Sequence, residues 1–278
     1  MKIAFQGEPG AYSEQAVFNY FGDVETLPCE SFDVVFDAVN AQKCDAGLIP
    51  IENSLAGSIH QNYDLLLRNQ LHIVGEYLLR VRHCLIAMPD VKKEDIKKAI
   101  SHPQALGQCA AYLRSHGIKA EQVYDTAGSV KMLKESGARD TAAIASRRAA
   151  ELYGMQILED GIEDNAENYT RFLAIRSEAV VPAALSESKG EKDAKTSIVF
   201  TLKNQPGSLF KAMSVFALRD IDLTKIESRP LQGKPWEYLF YIDFIGAAHE
   251  EIVKRALDHL GEYAVTLRVL GSYPRFKG

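Results

Sequence analysis

The feature that most constrains the fold of this chain is a repeated alternation of short apolar runs with helical apolar patterns. Between residues 2 and 153, a strand-like run is followed by a helix-like segment six times. The pairs are 2–6 with 13–21, 24–27 with 32–41, 46–51 with 55–68, 99–102 with 104–115, 123–125 with 129–134, and 142–145 with 147–153. This alternation predicts the α/β class, with parallel sheets flanked by helices.

The chain is expected to cross between two lobes at two places. A long apolar run over 72–88 separates the third and fourth pairs, and a second crossing is expected at 165–176, after the sixth pair. Two crossings form a hinge. Ligands of open α/β sheets bind beyond the carboxyl ends of the strands, so a cleft between the lobes is the predicted binding site.

A second, smaller domain is predicted after the alternation ends. Residues 186–193 form a polar run with no apolar period, which is typical of a solvated linker. The patterns beyond it follow the order β-α-β-β-α-β of ferredoxin-like domains. At 278 residues the chain exceeds one comfortable core. We therefore expect a first domain over 1–181, a linker over 182–196 and a small domain over 197–278.

Composition and charge argue against several classes of function. The formal net charge of -5 argues against a nucleic-acid partner or an anionic membrane surface. The 4 cysteines are widely spread without a C-x-x-C pair, so neither a zinc site nor a disulfide framework is indicated. No apolar run approaches the roughly 20 residues of a membrane-spanning helix, and no leader precedes the first strand. A cytoplasmic protein is expected.

The chain gives no indication of a metal or an organic cofactor. Gly7 and Gly10 follow a strand, but the G-x-G-x-x-G spacing of dinucleotide-binding loops is missing. Nothing matches the phosphate-binding pattern G-x-x-x-x-G-K-[ST]. No lysine in the polar blocks stands out as a Schiff-base residue. We therefore expect no cofactor.

Four polar blocks lie where a predicted strand ends and a predicted helix begins. They are residues 10–13, Asn53 with Ser54, Gln104 with Ala105, and residues 126–129. Helix N-termini offer backbone N–H groups and the positive end of the helix dipole to anions. Ser, Thr and Asn are also ordinary helix caps, so each block alone has a structural explanation. Four blocks that converge on one cleft would form an anion site in a net-negative chain.

Residues 168–172, Asn-Tyr-Thr-Arg-Phe, place a hydroxyl, a guanidinium and an aromatic ring side by side before an apolar run. Strand alternation sends Thr170 and Phe172 to one face and Arg171 to the other, unless the segment bends. A hydroxyl beside a cation suits an anionic substrate that loses an oxygen. The alternatives are a strand-favouring threonine, a salt bridge from the arginine to Asp164 or Glu52, and a core phenylalanine.

This run resembles the Thr-Arg-Phe signature of the prephenate dehydratases, and further blocks resemble other motifs of that family in the family's order. They are Gly7-Glu8-Pro9-Gly10-Ala11-Tyr12-Ser13, Ile49-Pro50-Ile51-Glu52-Asn53-Ser54, Ser101-His102-Pro103-Gln104-Ala105-Leu106 and Asp125-Thr126-Ala127. Glu227-Ser228-Arg229-Pro230 resembles the phenylalanine-binding signature of the family's regulatory domain. The resemblance covers essentially the whole chain. It implies a two-lobed fold similar to periplasmic binding proteins, followed by an ACT domain.

The resemblance also implies an activity, the conversion of prephenate to phenylpyruvate, carbon dioxide and water in L-phenylalanine biosynthesis. Only Met1 precedes the first strand, so a monofunctional enzyme without a fused chorismate mutase is expected. One rival is arogenate dehydratase, whose substrate carries an amino group in place of the keto oxygen. Another is a non-catalytic amino-acid sensor. The Thr-Arg-Phe run favours an enzyme, but it does not separate the two substrates.

The resemblance makes Thr170 the expected catalytic residue, as a hydrogen-bond donor to the departing oxygen. Arg171 is expected to grip a carboxylate, and Phe172 to pack against the ring or keep water from a carboxylate. The other expected substrate contacts are Ser13, Glu52, Asn53, Ser54, His102, Gln104, Ala105, Thr126 and Asn168. His102 and Glu52 remain alternative proton donors, because burial could tune either one.

A second ligand site, for the effector L-phenylalanine, is expected in the small domain. Its expected residues are Pro206, Gly207, Ser208, Leu209, Glu227, Ser228, Arg229 and Pro230. The helix that follows Gly207 suits an α-carboxylate and Glu227 suits an amino group; a helix cap and a surface charge are the alternatives. The family also suggests a homo-oligomer, a dimer or tetramer through paired small domains. Effector binding there would shift the cleft between open and closed states.

Overall fold

The computed structural model describes residues 1–178, 194–231 and 233–276. In chain order its elements are β1 (Lys2–Gln6), α1 (Tyr12–Phe21), β2 (Glu25–Cys29), α2 (Phe32–Asn40), β3 (Ala46–Asn53), β4 (Gly57–Ser58), α3 (His60–Arg68), β5 (His72–Arg80), β6 (Cys84–Ala87), β7 (Lys98–Ser101), α4 (Pro103–Gln108), α5 (Ala110–Ser115), β8 (Lys119–Gln122), α6 (Thr126–Ser136), β9 (Thr141–Ala145), α7 (Arg147–Tyr153), β10 (Gln156–Asp160), β11 (Tyr169–Arg176), β12 (Ala194–Leu202), α8 (Ser208–Ala217), β13 (Leu223–Pro230), β14 (Tyr238–Ile245), α9 (Glu251–Tyr263) and β15 (Ala264–Pro274). The predicted α/β class is confirmed.

Two compact units are present. The first contains Met1–Asn62 and Tyr77–Phe172, and the second contains Tyr63–Glu76 and Leu173–Gly278. A segment that precedes β6 in the chain therefore packs with the C-terminal residues, which local sequence patterns do not indicate. Residues 182–193 of the expected linker lie outside the described residues, and its last three residues begin β12.

One sheet has the strand order β2-β1-β3-β11-β5, and β4 pairs with β3. β1 runs parallel to both of its neighbours, and Ile3, Ala4 and Phe5 are fully buried in it. The helix predicted over 55–68 begins only at His60, because β3 and β4 form a short antiparallel hairpin first. Gly57 in this hairpin has a φ of 82°, a left-handed conformation that favours glycine.

A second sheet, within the first unit, has the strand order β10-β6-β9-β7-β8. β7 is parallel to β8 and β9, whereas β6 is antiparallel to β9 and β10, so the prediction of a parallel sheet is wrong here. β6 follows β5 of the other sheet after residues 81–83, without the helical crossover that makes neighbouring strands parallel. The helix predicted over 104–115 is broken at Cys109 into α4 and α5. The strand predicted over 123–125 lies earlier, as β8.

The second unit contains an antiparallel sheet with the strand order β13-β14-β12-β15, and the predicted order β-α-β-β-α-β is confirmed. Side chains of α8 and α9 pack with one face of this sheet, around Phe200, Phe216 and Phe244. Tyr241 lies on the alternate face, and its hydroxyl donates to the Tyr63 carbonyl oxygen at 2.7 Å. Within the second unit, residues 63–76 thus contact this sheet.

Among the described residues, no helix has both the length and the apolar character needed to cross a membrane.

Candidate active site

A cavity of about 190 Å³ lies in the first unit, among side chains from both of its sheets. Its lining combines hydroxyl, amide, imidazole and apolar groups. The lining residues are Tyr12, Ser13, Pro50, Asn53, Val81, His83, His102, Gln104, Ala105, Gln108, Thr126, Asn168, Thr170 and Phe172. Nine of the residues singled out from the sequence are therefore brought together: Ser13, Asn53, His102, Gln104, Ala105, Thr126, Asn168, Thr170 and Phe172.

Asn53 fixes the hydrogen-bond direction of Thr170. The Asn53 Oδ1 atom accepts from the backbone N–H groups of Leu55 and Ala56, at 3.0 and 2.9 Å. Its Nδ2 atom must then be the donor, and it reaches Thr170 Oγ1 at 3.0 Å. Because the hydroxyl oxygen accepts this bond, the hydroxyl proton of Thr170 stays available to a ligand in the cavity.

Asn168 is held by the same amide. Asn53 Nδ2 donates to Asn168 Oδ1 at 2.8 Å, so the Asn168 Nδ2 group points away from this bond. Asn168 is fully buried, and its Nδ2 has no hydrogen-bond partner among the described residues. A buried donor without a partner costs about 1–3 kcal/mol. Asn168 lines the cavity, so its unpaired N–H donor is suited to a hydrogen bond with an oxygen of a ligand.

Three further lining residues form a hydrogen-bonded chain that was not among the expected site residues. The Tyr12 hydroxyl lies 2.7 Å from His83 Nδ1, and His83 Nε2 lies 2.7 Å from Gln108 Oε1. Burial raises the pKa of the Tyr12 phenol well above its ordinary value. Burial also lowers the pKa of His83, so its imidazole is neutral at pH 7. The sequence contains one pattern that could have indicated Gln108: it lies four positions after Gln104, so both lie on the same face of a helix.

The predicted convergence of four helix N-termini is only partly correct. Ser13, Gln104 and Thr126 lie in the first turns of α1, α4 and α6. Asn53 instead ends a strand that turns into the β3–β4 hairpin, so no helix begins there. His102 is a helix cap, because its Nδ1 atom accepts from the Gln104 N–H at 3.2 Å.

The structure does not bring Glu52, Ser54 and Arg171 to the cavity wall. Arg171 lies between Thr170 and Phe172 on β11, and strand alternation sends its side chain to the other face. Glu52 lies on β3 opposite Ser58. The Ser54 hydroxyl donates to the Glu167 carbonyl oxygen at 2.7 Å and accepts from the Tyr169 N–H at 2.9 Å. The expected substrate contacts of these three residues are therefore not supported by the geometry.

The second unit contains a smaller cavity of about 120 Å³, close to the start of α8. Its lining residues are Leu202, Lys203, Asn204, Gln205, Ser208, Leu209, Trp236, Tyr238 and Phe240. Ser208 and Leu209 thus line a cavity, as an effector site would require. Pro206 and Gly207 lie in the turn before α8, where Gly207 caps the helix with a φ of 80°.

The charged residues of the predicted effector motif lie away from this cavity. Alternate residues of β13 are exposed, which leaves Ser228 and Pro230 on the open face and Glu227 and Arg229 half-buried on the other. Arg229 Nη2 lies 3.1 Å from Asp64 Oδ2, on α3. Glu227 lies 3.7 Å from the Lys225 ammonium group. The structure therefore separates the expected effector residues into two groups.

The fold and the cavity together define an α/β protein with a polar cavity and a small C-terminal domain of β-α-β-β-α-β order. A family model described as "Prephenate dehydratase" matches residues 3–180, and one described as "ACT domain" matches residues 196–262. The chain belongs to the prephenate dehydratase family. The predicted recognition, the α/β class, the ACT domain and the dehydratase class of enzyme, a carbon–oxygen lyase, are confirmed. The expected similarity to two-lobed periplasmic binding proteins stays a prediction.

Individual relatives agree with this family. The chain is 49% identical to "Arogenate dehydratase/prephenate dehydratase 2, chloroplastic" of Arabidopsis thaliana, over 99% of this chain and 73% of the relative. A solved prephenate dehydratase from Arthrobacter aurescens in complex with L-Phe has a TM-score of 0.87 and 31% identity, over 99% of this chain and 90% of that one. A structure described as GqqA, "a novel type of quorum quenching acylases", has a TM-score of 0.91 and 35% identity, over 99% and 98% of the two chains.

The relatives also correct one prediction. Six of the matched Arabidopsis thaliana enzymes are named chloroplastic. These names point to the plastid, and the cytoplasmic location expected from the sequence is therefore wrong.

Proposed function

We propose that this enzyme converts prephenate to phenylpyruvate, carbon dioxide and water in L-phenylalanine biosynthesis, with Thr170 as its catalytic residue. The single observation that carries the proposal is the bond from Asn53 Nδ2 to Thr170 Oγ1, at 3.0 Å in the wall of the cavity. This bond leaves the hydroxyl proton of Thr170 for an oxygen of the substrate.

In the proposed reaction, the bond between the ring and its carboxylate breaks and carbon dioxide leaves. The electron pair completes the aromatic ring, and the bond from the opposite ring carbon to its hydroxyl oxygen breaks. The departing hydroxide carries the negative charge, and the Thr170 hydroxyl stabilises it by donating a hydrogen bond. A proton from solvent then converts the hydroxide to water. A preorganised donor of this kind contributes about 10²–10³ in rate.

Phe172 supports the decarboxylation half of the reaction. It is only 2% exposed and lines the cavity, so it excludes water from part of the wall. A less hydrated carboxylate loses carbon dioxide more readily. Asn168 offers a second donor in the same wall, through the Nδ2 group that lacks a partner among the described residues.

The polarity of the cavity favours prephenate over arogenate. None of the described side chains in its wall is a carboxylate, whereas arogenate carries an ammonium group that an acidic partner would stabilise. Arogenate remains the second candidate, because several relatives are named arogenate dehydratases. Paired kinetics on the two substrates decides between them: we expect a higher kcat/KM for prephenate, and the reverse order would select arogenate.

The catalytic proposal is tested by phenylpyruvate production in the wild type, in Thr170→Ala and in Thr170→Ser. We expect kcat to fall about 10²–10³-fold in the alanine variant, because the donor is lost. The serine variant keeps a hydroxyl and should retain part of the activity. An alanine variant that stays folded and turns over at the wild-type rate would remove Thr170 from the mechanism.

We also infer that L-phenylalanine inhibits the enzyme through the ACT domain, with a catalytic domain over 1–181 and a regulatory domain over 197–278. The bound effector in the Arthrobacter aurescens relative supports this inference. So does the ion pair between Arg229 of the effector motif and Asp64 of α3. α3 directly follows the β3–β4 hairpin, which contains Asn53. The ion pair therefore connects the effector motif to the helix that follows Asn53 in the chain.

We further propose that the chain forms a homo-oligomer, a dimer or tetramer, through its ACT domains. Large apolar side chains on this domain are exposed, including Phe210 at 76%, Leu218 at 78% and Val265 at 54%. Exposed side chains of this kind become buried when two copies of a domain pair. Light scattering on the purified protein measures the oligomer mass, and a monomer at micromolar concentration would contradict the proposal.

A further inference from the structure

The chain of Tyr12, His83 and Gln108 has no role in the reaction proposed above, although all three side chains line the cavity. Tyr12 begins α1 beside the first sheet, His83 immediately precedes β6, and Gln108 ends α4. His83 bridges the other two through both of its ring nitrogens, each at 2.7 Å. None of the three belongs to the Thr-Arg-Phe run, so the arrangement is an observation independent of that motif.

The imidazole of His83 is held rigidly. The residue is 2% exposed, and the Tyr12 ring packs edge-on against it, with centroids 5.5 Å apart and planes at 83°. The His83 backbone N–H donates to Glu163 Oε2 at 2.9 Å. A ring fixed by its backbone and its neighbour can orient a flexible amide.

The direction of the bond to Gln108 follows from the atom that faces His83. That atom, 2.7 Å from His83 Nε2, is the carbonyl oxygen Oε1 of Gln108, which can only accept, so Nε2 carries a hydrogen and donates to it. In neutral His83, Nδ1 then has no hydrogen and accepts from the Tyr12 hydroxyl. In protonated His83, Nδ1 donates to the Tyr12 oxygen, and Tyr12 donates to the Arg82 carbonyl oxygen at 2.9 Å. Nε2 donates to Gln108 Oε1 in both states, so the amide orientation does not change with protonation.

Because Gln108 Oε1 faces His83, the NH₂ group of Gln108 is available to donate hydrogen bonds to a ligand in the cavity. This group has no protein partner among the described residues, and Gln108 is only partly buried. With the opposite orientation the carbonyl oxygen would face the cavity, where it would repel a carboxylate or a keto oxygen.

We propose that His83 is a positioning residue that holds the Gln108 amide with its NH₂ group toward the cavity, where it donates to an oxygen of the dianionic substrate. The proposal rests on the proposed function, since it assumes prephenate in this cavity. It assigns His83 to substrate binding and leaves the departure of hydroxide to Thr170. The main effect of losing His83 is therefore expected in KM and not in kcat.

Two substitutions at His83, to glutamine and to asparagine, distinguish a role in orienting the Gln108 amide from a role in packing. Glutamine places an amide nitrogen near the position of Nε2 and can still donate to Gln108, whereas asparagine reaches only the position of Nδ1. We expect His83→Asn to raise KM for prephenate roughly 10- to 100-fold, the loss of one hydrogen bond to a charged group. His83→Gln should stay within about threefold of the wild type, and kcat should change less than KM in both.

A double-mutant cycle provides the readout that a purely structural role would not change. In a Gln108→Leu background there is no amide to orient, so adding His83→Asn should cause almost no further rise in KM. Melting temperatures of all variants identify loss of folding. A full additional rise in KM in the Gln108→Leu background, or equal KM values for folded His83→Asn and wild type, would overturn the proposal. Wild-type protein that releases no phenylpyruvate would overturn the proposed function instead.

Discussion

Asn53 Nδ2 donates to Thr170 Oγ1 at 3.0 Å, and the direction of this bond is set by two backbone N–H groups that occupy Asn53 Oδ1. Residues separated by 117 positions thus act as one unit. The amide makes the threonine hydroxyl an acceptor on the protein side and a donor on the cavity side.

The substitution Asn53→Asp should reverse the direction of this bond. One carboxylate oxygen of the variant would still accept from the Leu55 and Ala56 N–H groups, and the second would accept the Thr170 proton. We expect kcat to fall about 10²–10³-fold, as for loss of the donor itself. The control is Asn165→Asp, an exposed asparagine whose Oδ1 accepts from the Glu167 N–H. Steady-state kinetics that give equal kcat values for both variants would contradict the assignment.

Asp64→Asn should weaken inhibition by L-phenylalanine and leave the uninhibited rate unchanged. The substitution removes the charge that Arg229 Nη2 contacts at 3.1 Å, where both side chains are about one quarter exposed. We expect the inhibition constant to rise about tenfold, within the usual range of coupling energies. Glu251→Gln is the matched control, since its partner Arg255 and Glu251 itself are both 70% exposed. Inhibition curves that coincide for wild type and Asp64→Asn would remove this ion pair from the regulatory route.

Arg268→Lys should destabilise the second unit. The Arg268 guanidinium donates to the carbonyl oxygens of Leu66, Leu67, Asn69 and Leu71, at 2.9–3.4 Å. A lysine ammonium group cannot reproduce the contacts that the two terminal nitrogens of Arg268 make. We therefore expect a loss of roughly 2–4 kcal/mol in the free energy of unfolding. Arg255→Lys, on an exposed helix face, should change it by less than about 0.5 kcal/mol. Urea unfolding measures both, and equal midpoints would show that the carbonyl contacts contribute little.

The free energy of unfolding should decrease as the pH falls, and part of this decrease should come from His83. Burial lowers the pKa of folded His83 below its ordinary value of 6.5. Between these two values the unfolded chain binds a proton that the folded protein does not, so the free energy of unfolding falls as the pH drops below 6.5. His83→Gln cannot titrate and should lose less stability over that range. Unfolding curves at several pH values check this, and identical slopes for the two proteins would contradict it.

Much of the fold was predictable because its signals are local. The spacing of apolar residues predicted β1, α7 and the order of the C-terminal elements, and this spacing depends only on neighbouring positions. The break at Cys109 and the hairpin before α3 were missed, since tertiary packing overrides the helical pattern there. The antiparallel direction of β6 was also missed, because it depends on the strand that each segment pairs with.

The candidate site was predictable only in part, for a related reason. Thr170, Phe172 and Asn53 belong to short motifs that the sequence displays, and the structure places them in one cavity wall. Arg171 belongs to the same motif as Thr170, but the alternation of β11 sends it elsewhere. The chain formed by Tyr12 and its two partners joins residues that lie far apart in the sequence and carry no joint pattern.

The family, the α/β class and the motifs that carry the chemistry could be inferred from the amino-acid sequence, because each of these depends on residues close together along the chain. Three other features became visible only in the folded chain. They are the set of residues that face the cavity, the orientation of the Asn53 and Gln108 amides, and the packing of residues 63–76 with the C-terminal sheet. These features depend on strand order and on hydrogen bonds between distant residues. Such contacts form only when the chain has folded, so no local pattern specifies them.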